Sequence, residues 1–385
     1  MRRLLLLASA MVFIDVAFFS AIAPLLPDYV DDLGLTKAEA GILSASYAAG
    51  TLLASLPAGL VASSVGPRRT VIGGLLLLGV TSVAFGFAQE IVLLDLARFV
   101  QGVAGALIWS GALTWLVTTA DEDRRGQVIG TALGTAVAGA LLGPALGALA
   151  GAIGTEVVFS SVLVLTVVLA LIASRFPEAE VSERQDLREV KAAMLSLPVL
   201  NAVIFVAVPS LMFGAIEVLV PLRIDALGGG HGLIAGGFIA GAALEAVLAP
   251  IAGRYSDRVG RRLPYVSGLS ICAVTMVVIG VAGSLAGVLG ALIVTSLGAG
   301  FCFAPAMTML SDAAAATDLH QGFAAGLSNM AWATGQVLGG IGGGVVADLT
   351  GNALPSILIS ILLLVTVAYA FRALAPPPAD ARVVG

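Results

Sequence analysis

The chain has 385 residues, of which 59% are hydrophobic and only 11% are charged. A soluble domain carries about 25% charged and about 45–50% apolar residues, so this composition excludes an ordinary water-soluble fold. The net charge of −5 comes with no basic tract for nucleic acid, and two Cys and two His leave no cluster for a metal, a cofactor or a catalytic triad.

At the N-terminus, Met1-Arg2-Arg3 followed by Leu4 to Ala8 looks like a signal peptide, but the apolar stretch runs on past Asp15 to Leu26. A cleaved apolar region is about 7–15 residues long, so the stretch is read as an uncleaved first span over 4–26. Further apolar blocks predict spans over 40–63, 70–88, 91–118, 127–150 and 154–174. From Arg175 to Leu197 the chain turns polar, with Glu178, Glu180, Glu183, Arg184, Asp186, Arg188, Glu189 and Lys191; this reads as a solvated linker with a surface amphipathic helix. Six more blocks follow, over 199–221, 233–252, 263–282, 285–310, 323–347 and 353–372. The tail from Pro376 to Gly385 is expected to be disordered.

Blocks of this length suit the ~20 residues that cross a ~30 Å hydrocarbon layer, and they are too continuous for the alternating strands of a barrel. In lipid only a helix then satisfies the backbone. The expected fold is an all-α membrane protein with twelve transmembrane helices in two pseudo-symmetric six-helix halves. The expected organisation is an N-terminal half over 1–175, a cytoplasmic linker over 176–198, a C-terminal half over 199–373 and a tail over 374–385.

Basic residues orient the bundle. With the N-terminus inside, Arg2, Arg3, Arg68, Arg69, Arg124, Arg125, Arg175, Arg184, Arg188, Lys191, Arg254, Arg258, Arg261, Arg262, Arg372 and Arg382 all fall on the cytoplasmic side. Lys37 and Arg223 fall outside, so both termini are expected in the cytoplasm. Abundant Gly and Ala with short loops suit a prokaryotic plasma (inner) membrane.

The halves repeat. Gly59 to Arg69 (GLVASSVGPRR) follows span two, and Gly253 to Arg262 (GRYSDRVGRR) follows span eight at an offset of 194 residues. Gly139, Gly143 and Gly147 in span five echo Gly335, Gly339 and Gly343 in span eleven. Two similar halves imply a solute cavity at their interface, opened alternately by rocking.

These residues resemble the major facilitator superfamily, specifically its drug–proton antiporters, bacterial multidrug efflux members among them, and within those the vesicular amine transporters. The loop signature G-x-x-x-D-R-x-G-R-R is complete at Gly253 to Arg262, which implies a gating role for Gly253, Asp257, Arg258, Gly260 and Arg261. The first copy departs from it, with Ser63 and Ser64 where Asp and Arg are expected. Arg98-Phe-Val-Gln101-Gly102 is similar to the family's span-four motif, and Gly139 to Gly147, with Pro144, to the antiporter signature. Asp15, Pro24 and Pro27 resemble the first span of the amine transporters, and Glu217 before Pro221 resembles their seventh. Gly300, Asn329 and Gln336 stand where that branch carries acidic residues or a Tyr, so the chemistry must differ in detail.

Charged groups at depth are costly and usually face a cavity or a partner. Asp15 lies about 16 Å along its helix at 1.5 Å per residue. It is either a substrate- and proton-binding group or a neutral structural Asp. Glu217 is a proton carrier or an interfacial carboxylate, and Glu245, mid-span, is a proton carrier or the partner of an unidentified donor. Arg98 is the sole basic residue at depth. It either tunes proton coupling or pins neighbouring carbonyls, with Asp95 a possible i, i+3 partner. Gly139, Gly143 and Gly147 share one helix face and favour tight packing; with Pro144 they are expected to seal the cavity against proton leak. Asn329, Trp332 and Gln336 form a stripe that either faces the solute or packs, and Trp109 and Phe213 carry the same pair of readings.

The expected activity is proton-coupled antiport that exports amphipathic organic compounds or drugs, cationic ones among them, by a monomer whose partners are a small organic solute, protons and the bilayer. Alternatives are proton-coupled export of a neutral metabolite, such as a sugar or amino acid, and a non-transporting membrane sensor. No nucleophile–base set or phosphate loop supports an enzyme.

Overall fold

A computed structural model describes residues 1–121, 125–179, 187–317 and 321–374. The centre of the linker (180–186), the positions of Arg124 and His320, and the expected tail from 375 onward lie outside the described residues.

The described chain is helical throughout. The first expected span is broken: α1 (Arg2–Ser20) gives way to a 3-10 turn (Ala23–Leu25) and then α2 (Leu26–Leu33). Pro24 and Pro27 each fall in the first turn of the element they open, where no backbone N–H is required. The span thus runs on to Leu33, seven residues beyond the expected end. Then come α3 (Lys37–Val65), α4 (Pro67–Phe87), α5 (Ile91–Thr119), α6 (Arg125–Ile153) and α7 (Thr155–Ala173). The short α8 (Leu187–Met194) lies in the linker, where a surface helix was expected. The second set is α9 (Leu197–Ala226), α10 (His231–Val259), α11 (Arg262–Val281), α12 (Leu285–Ala315), α13 (Gln321–Thr350) and α14 (Ala353–Ala373).

Eleven of the described segments are long and apolar enough to cross a membrane. The expected span over 323–347 is α13, a 30-residue helix whose many glycines, Asn329 and Gln336 dilute its apolar character. It tolerates that sequence because it packs chiefly on α3 and α9 rather than on lipid.

Local signals explain the helix limits. Thr36 opens α3 with a reciprocal cap: its hydroxyl accepts from the Glu39 N–H at 3.2 Å, and the Glu39 carboxylate accepts from the Thr36 N–H at 2.8 Å. Gly66 and Gly260 turn the chain between α3 and α4 and between α10 and α11, with φ of 105° and 84°. They occupy equivalent places in the sequence repeat, and positive φ is open to Gly at no steric cost.

The repeat is equally visible in packing. On α6, a Cβ at Gly139 or Gly143 would strike the backbone of α1 at Phe13 or Ala17, and one at Gly147 the backbone just beyond it at Ala21. On α13, Gly335 and Gly339 meet the backbone of α9 at Ala207 and Leu211, and Gly343 lies against Ala215. Such small-residue seams replace the hydrophobic drive that lipid cannot supply. Buried apolar side chains form two clusters, one from α1–α7 with Val218 of α9, the other from α8–α14. The two sets of helices meet mainly along α3–α13 and α6–α10.

Candidate functional site

Close contact between α3 and α5 builds the centre. A Cβ on Gly102 would collide with the Tyr47 carbonyl oxygen, and one on Gly50 with that of Phe99. With the backbones touching, Tyr47 is pushed against Asp15 of α1. Asp15 is 1% exposed. Its Oδ1 accepts from the Tyr47 hydroxyl at 2.8 Å, and its Oδ2 has no partner among the described residues. Gly105 leaves room for the pair, and Trp109, one turn further along α5, faces the same carboxylate.

Arg98 is also 1% exposed. It donates to the Phe18 and Phe19 carbonyls at 3.4 and 3.1 Å and to Gln101 Oε1 at 3.3 Å. The 3-10 break after α1 frees carbonyls near Ser20 for this use. The guanidinium lies 5.2 Å from the Tyr47 ring centroid and 5.7 Å from that of Phe19, within cation–π range. Gln101 is held in turn by its donation to Ser82 at 3.1 Å. The expected local pairing with Asp95 is not formed: Asp95 accepts from Ser46 instead, at 3.3 Å.

The second set of helices completes the site. Trp332 of α13 meets Phe19 edge-to-face at 5.3 Å. Half-buried Glu217 of α9 faces Arg98 and Gln336. Gln336 fits because Gly214 has no side chain: a Cβ there would lie 2.9 Å from Gln336 Oε1. Gln336 Oε1 and Asn329 Nδ2 are buried without partners among the described residues.

The structure therefore brings Asp15, Arg98, Trp109, Glu217, Trp332 and Gln336 together. With both carboxylates ionised, Arg98, Asp15 and Glu217 carry one net negative charge. In an enclosed apolar setting such a charge demands a counterion, and either a proton or a monovalent cation cancels it.

Other candidates lie elsewhere. Glu245 is half-buried on α10, toward Cys302 of α12, and does not join the cluster. Phe213 stacks on Phe303 at 5.5 Å. In the loop signature, Arg261 pairs with Asp312 of α12, whereas Asp257 and Arg258 form no ion pair among the described residues. A Cβ at Gly253 would meet open space, so packing does not require a glycine there.

Sequence reasoning missed three features. Tyr47 sits in an apolar block and carried no motif; a phenol four residues before Thr51 on a small-residue helix was the one available signal. Glu178 counted only as linker charge, yet it accepts from the Arg68 N–H at 2.9 Å and from Arg68 Nε at 3.2 Å, and it lies 3.8 Å from Arg69 Nε. The linker thus supplies a carboxylate to the loop in which Ser63 and Ser64 replace the expected Asp and Arg. Third, the end of the bundle opposite the Arg68–Glu178 contact is closed across the two sets of helices. Lys37 Nζ donates to Asn352 at 2.8 Å, and His231 Nε2 lies 2.7 Å from Asp28 Oδ1.

Comparisons with known proteins agree with this architecture. The pattern of the Major Facilitator Superfamily matches residues 7–317 and again 232–384. An MFS-type transporter, ppzB, of Metarhizium majus (strain ARSEF 297) is 32% identical over 125 residues, 31% of this chain and 27% of that protein. The quinolone resistance protein NorA of Staphylococcus aureus (strain MRSA252) is 26% identical over 109 residues, 28% of each chain. The match spans little more than a quarter of these curated relatives. The solved structure of a bacterial homologue of the human lysosomal transporter Spinster superposes with a TM-score of 0.78 at 13% identity, covering 97% of this chain and 96% of that one. That likeness is one of fold.

Proposed function

This chain belongs to the Major Facilitator Superfamily; from that premise we propose that it is a multi-pass secondary transporter that exports amphipathic, cationic organic compounds in exchange for protons. The observation that carries this reading is the enclosed Asp15–Arg98–Glu217 cluster, whose single net negative charge suits one proton or one monovalent cation at a time. NorA, a relative named for quinolone resistance, supports the drug-like class of solute.

The arginine-bearing end is taken as cytoplasmic, and the membrane as a plasma (inner) membrane with both termini inside. The state seen here is then shut on the outside by the Lys37–Asn352 and His231–Asp28 contacts. Opening to the outside exchanges the solute for a proton on Asp15 or Glu217. Return to the inside releases the proton, restores the charge and admits the next cation. Glu245 is a subsidiary proton carrier, Gly139, Gly143, Pro144 and Gly147 keep α6 sealed on α1, and the Gly253–Arg262 loop gates the cytoplasmic side. A membrane potential of 100 mV contributes about 2.3 kcal/mol per net charge moved, so a one-for-one exchange draws on the pH gradient alone. The transporter is read as a monomer.

The test is flux in proteoliposomes under an imposed pH gradient, with cationic and neutral solutes. Gradient-driven flux of cations that is lost in Asp15→Asn and Glu217→Gln, with folding retained, is expected. Undiminished coupling in both variants and in Glu245→Gln would refute the mechanism.

A further inference from the structure

The stripe on α13 holds information about the solute that the charge cluster does not. Asn329 and Gln336 are seven residues apart, close to two helical turns, and share the face of α13 that lies between its seams with α3 and α9. At 1.5 Å per residue they stand about 10 Å apart along the axis. Each presents a buried polar atom with no partner among the described residues, and the two are of opposite kind: Nδ2 of Asn329 is a donor and Oε1 of Gln336 an acceptor. Buried polar groups without partners are uncommon in folded proteins and call for an explanation. Between the two on the sequence stands Trp332, whose ring meets Phe19 across the two sets of helices.

From this geometry we infer that the solute is held at two points: a protonated amine bearing at least two N–H bonds is shared between Gln336 Oε1 and the Glu217 carboxylate, and a carbonyl or ether oxygen about 10 Å away accepts from Asn329 Nδ2. An aryl segment joining the two lies against Trp332. One N–H of the ammonium meets the neutral acceptor and another the charged one, so a quaternary ammonium, which has none, is disfavoured. A site built to hydrogen-bond discriminates strongly against an analogue that lacks the matching group, because its own buried groups then stay unpaired. This inference rests on the cation-transport reading above.

The experiment uses the purified full chain and three probes: 4-(4-acetylphenyl)butylamine, its N,N,N-trimethyl analogue, and 4-phenylbutylamine, which lacks the acetyl oxygen. Binding is read by quenching of tryptophan fluorescence, and flux of the same probes is read in proteoliposomes. Each deletion of a matching group is expected to weaken binding to the unmodified protein about tenfold or more. Gln336→Leu should lose the preference over the trimethyl analogue while keeping that for the acetyl group; Asn329→Leu should do the reverse. The comparison of probes on the unmodified chain needs no variant to fold. Equal binding of the three probes, or variants that lose both preferences together, would overturn the inference. Gradient-driven flux without probe preference sinks the two-point site and leaves the transport reading standing; preference in binding without gradient-driven flux of any probe does the opposite.

Discussion

At the scale of single residues, the centre is a problem of placing charge where water is scarce. Arg98 is held by two carbonyls, one amide and three aromatic faces rather than by a direct ion pair, and its Nε has no partner among the described residues. Its planar fork and ring contacts are properties of Arg and not of Lys. Arg98→Lys should therefore retain the charge yet lower both thermal stability in detergent and transport rate, with loss of one fixed donor set costing about 1–3 kcal/mol. Near-normal melting and flux in that variant would show the fork to be dispensable. Tyr47→Phe removes one hydroxyl with little change of shape, and takes from Asp15 Oδ1 its phenol donor, beside an Oδ2 that has no partner among the described residues. A hydrogen bond to a charged group contributes about 1.5–3 kcal/mol, so coupled flux should fall about ten- to hundredfold with the fold intact. Unchanged coupling would mean that Asp15 takes its orientation from other groups.

At the scale of elements, glycine seams do the work that a hydrophobic core does in water. The α6–α1 and α13–α9 seams are equivalents, each with backbone held close to backbone by glycines one turn apart. Gly143→Val and Gly339→Val should each destabilise the bundle by about 1–3 kcal/mol through overpacking, visible as lower melting temperatures and lower yield of folded protein. Gly253→Ala, at a glycine of the loop signature that lies inside α10 and faces open space, should hold or slightly raise stability, since Ala is the better helix former; if it leaves flux unchanged, no gating role rests on this glycine. The linker contact belongs to this scale too. Glu178 bonds a backbone N–H and two arginines at a quarter-exposed site, where solvent screens ion pairs, so Glu178→Gln should cost little stability. A clear change in flux without a change in melting would mark it as part of the gate.

At the scale of the whole molecule, alternating access requires the two sets of helices to part at one end while holding at the other. The end with Lys37 and His231 is shut in this structure, and Asp28 and His231 face one another across it. Asp28→Cys combined with His231→Cys should form a disulfide under oxidation and arrest transport, with recovery on reduction. The chain's own Cys272 and Cys302 are buried and should not interfere. Transport that persists in the cross-linked protein would show that this end does not open during the cycle.

The amino-acid sequence by itself determined that this is a bundle of membrane-crossing helices, because block length and apolarity are local properties that lipid reads directly. It also determined the repeat, since Gly66 and Gly260 hold equivalent positive-φ turns and the glycine seams recur in register. Only the tertiary structure decided the site. Asp15, Glu217 and Gln336 lie on three helices far apart in the chain, and Glu245, as deep in sequence terms, is left outside their cluster. Tyr47, Glu178 and Asp28 have ordinary local signals and gain their roles from partners more than thirty residues away. Burial and hydrogen bonding at such distances depend on which helix faces meet, and hydropathy alone does not encode that.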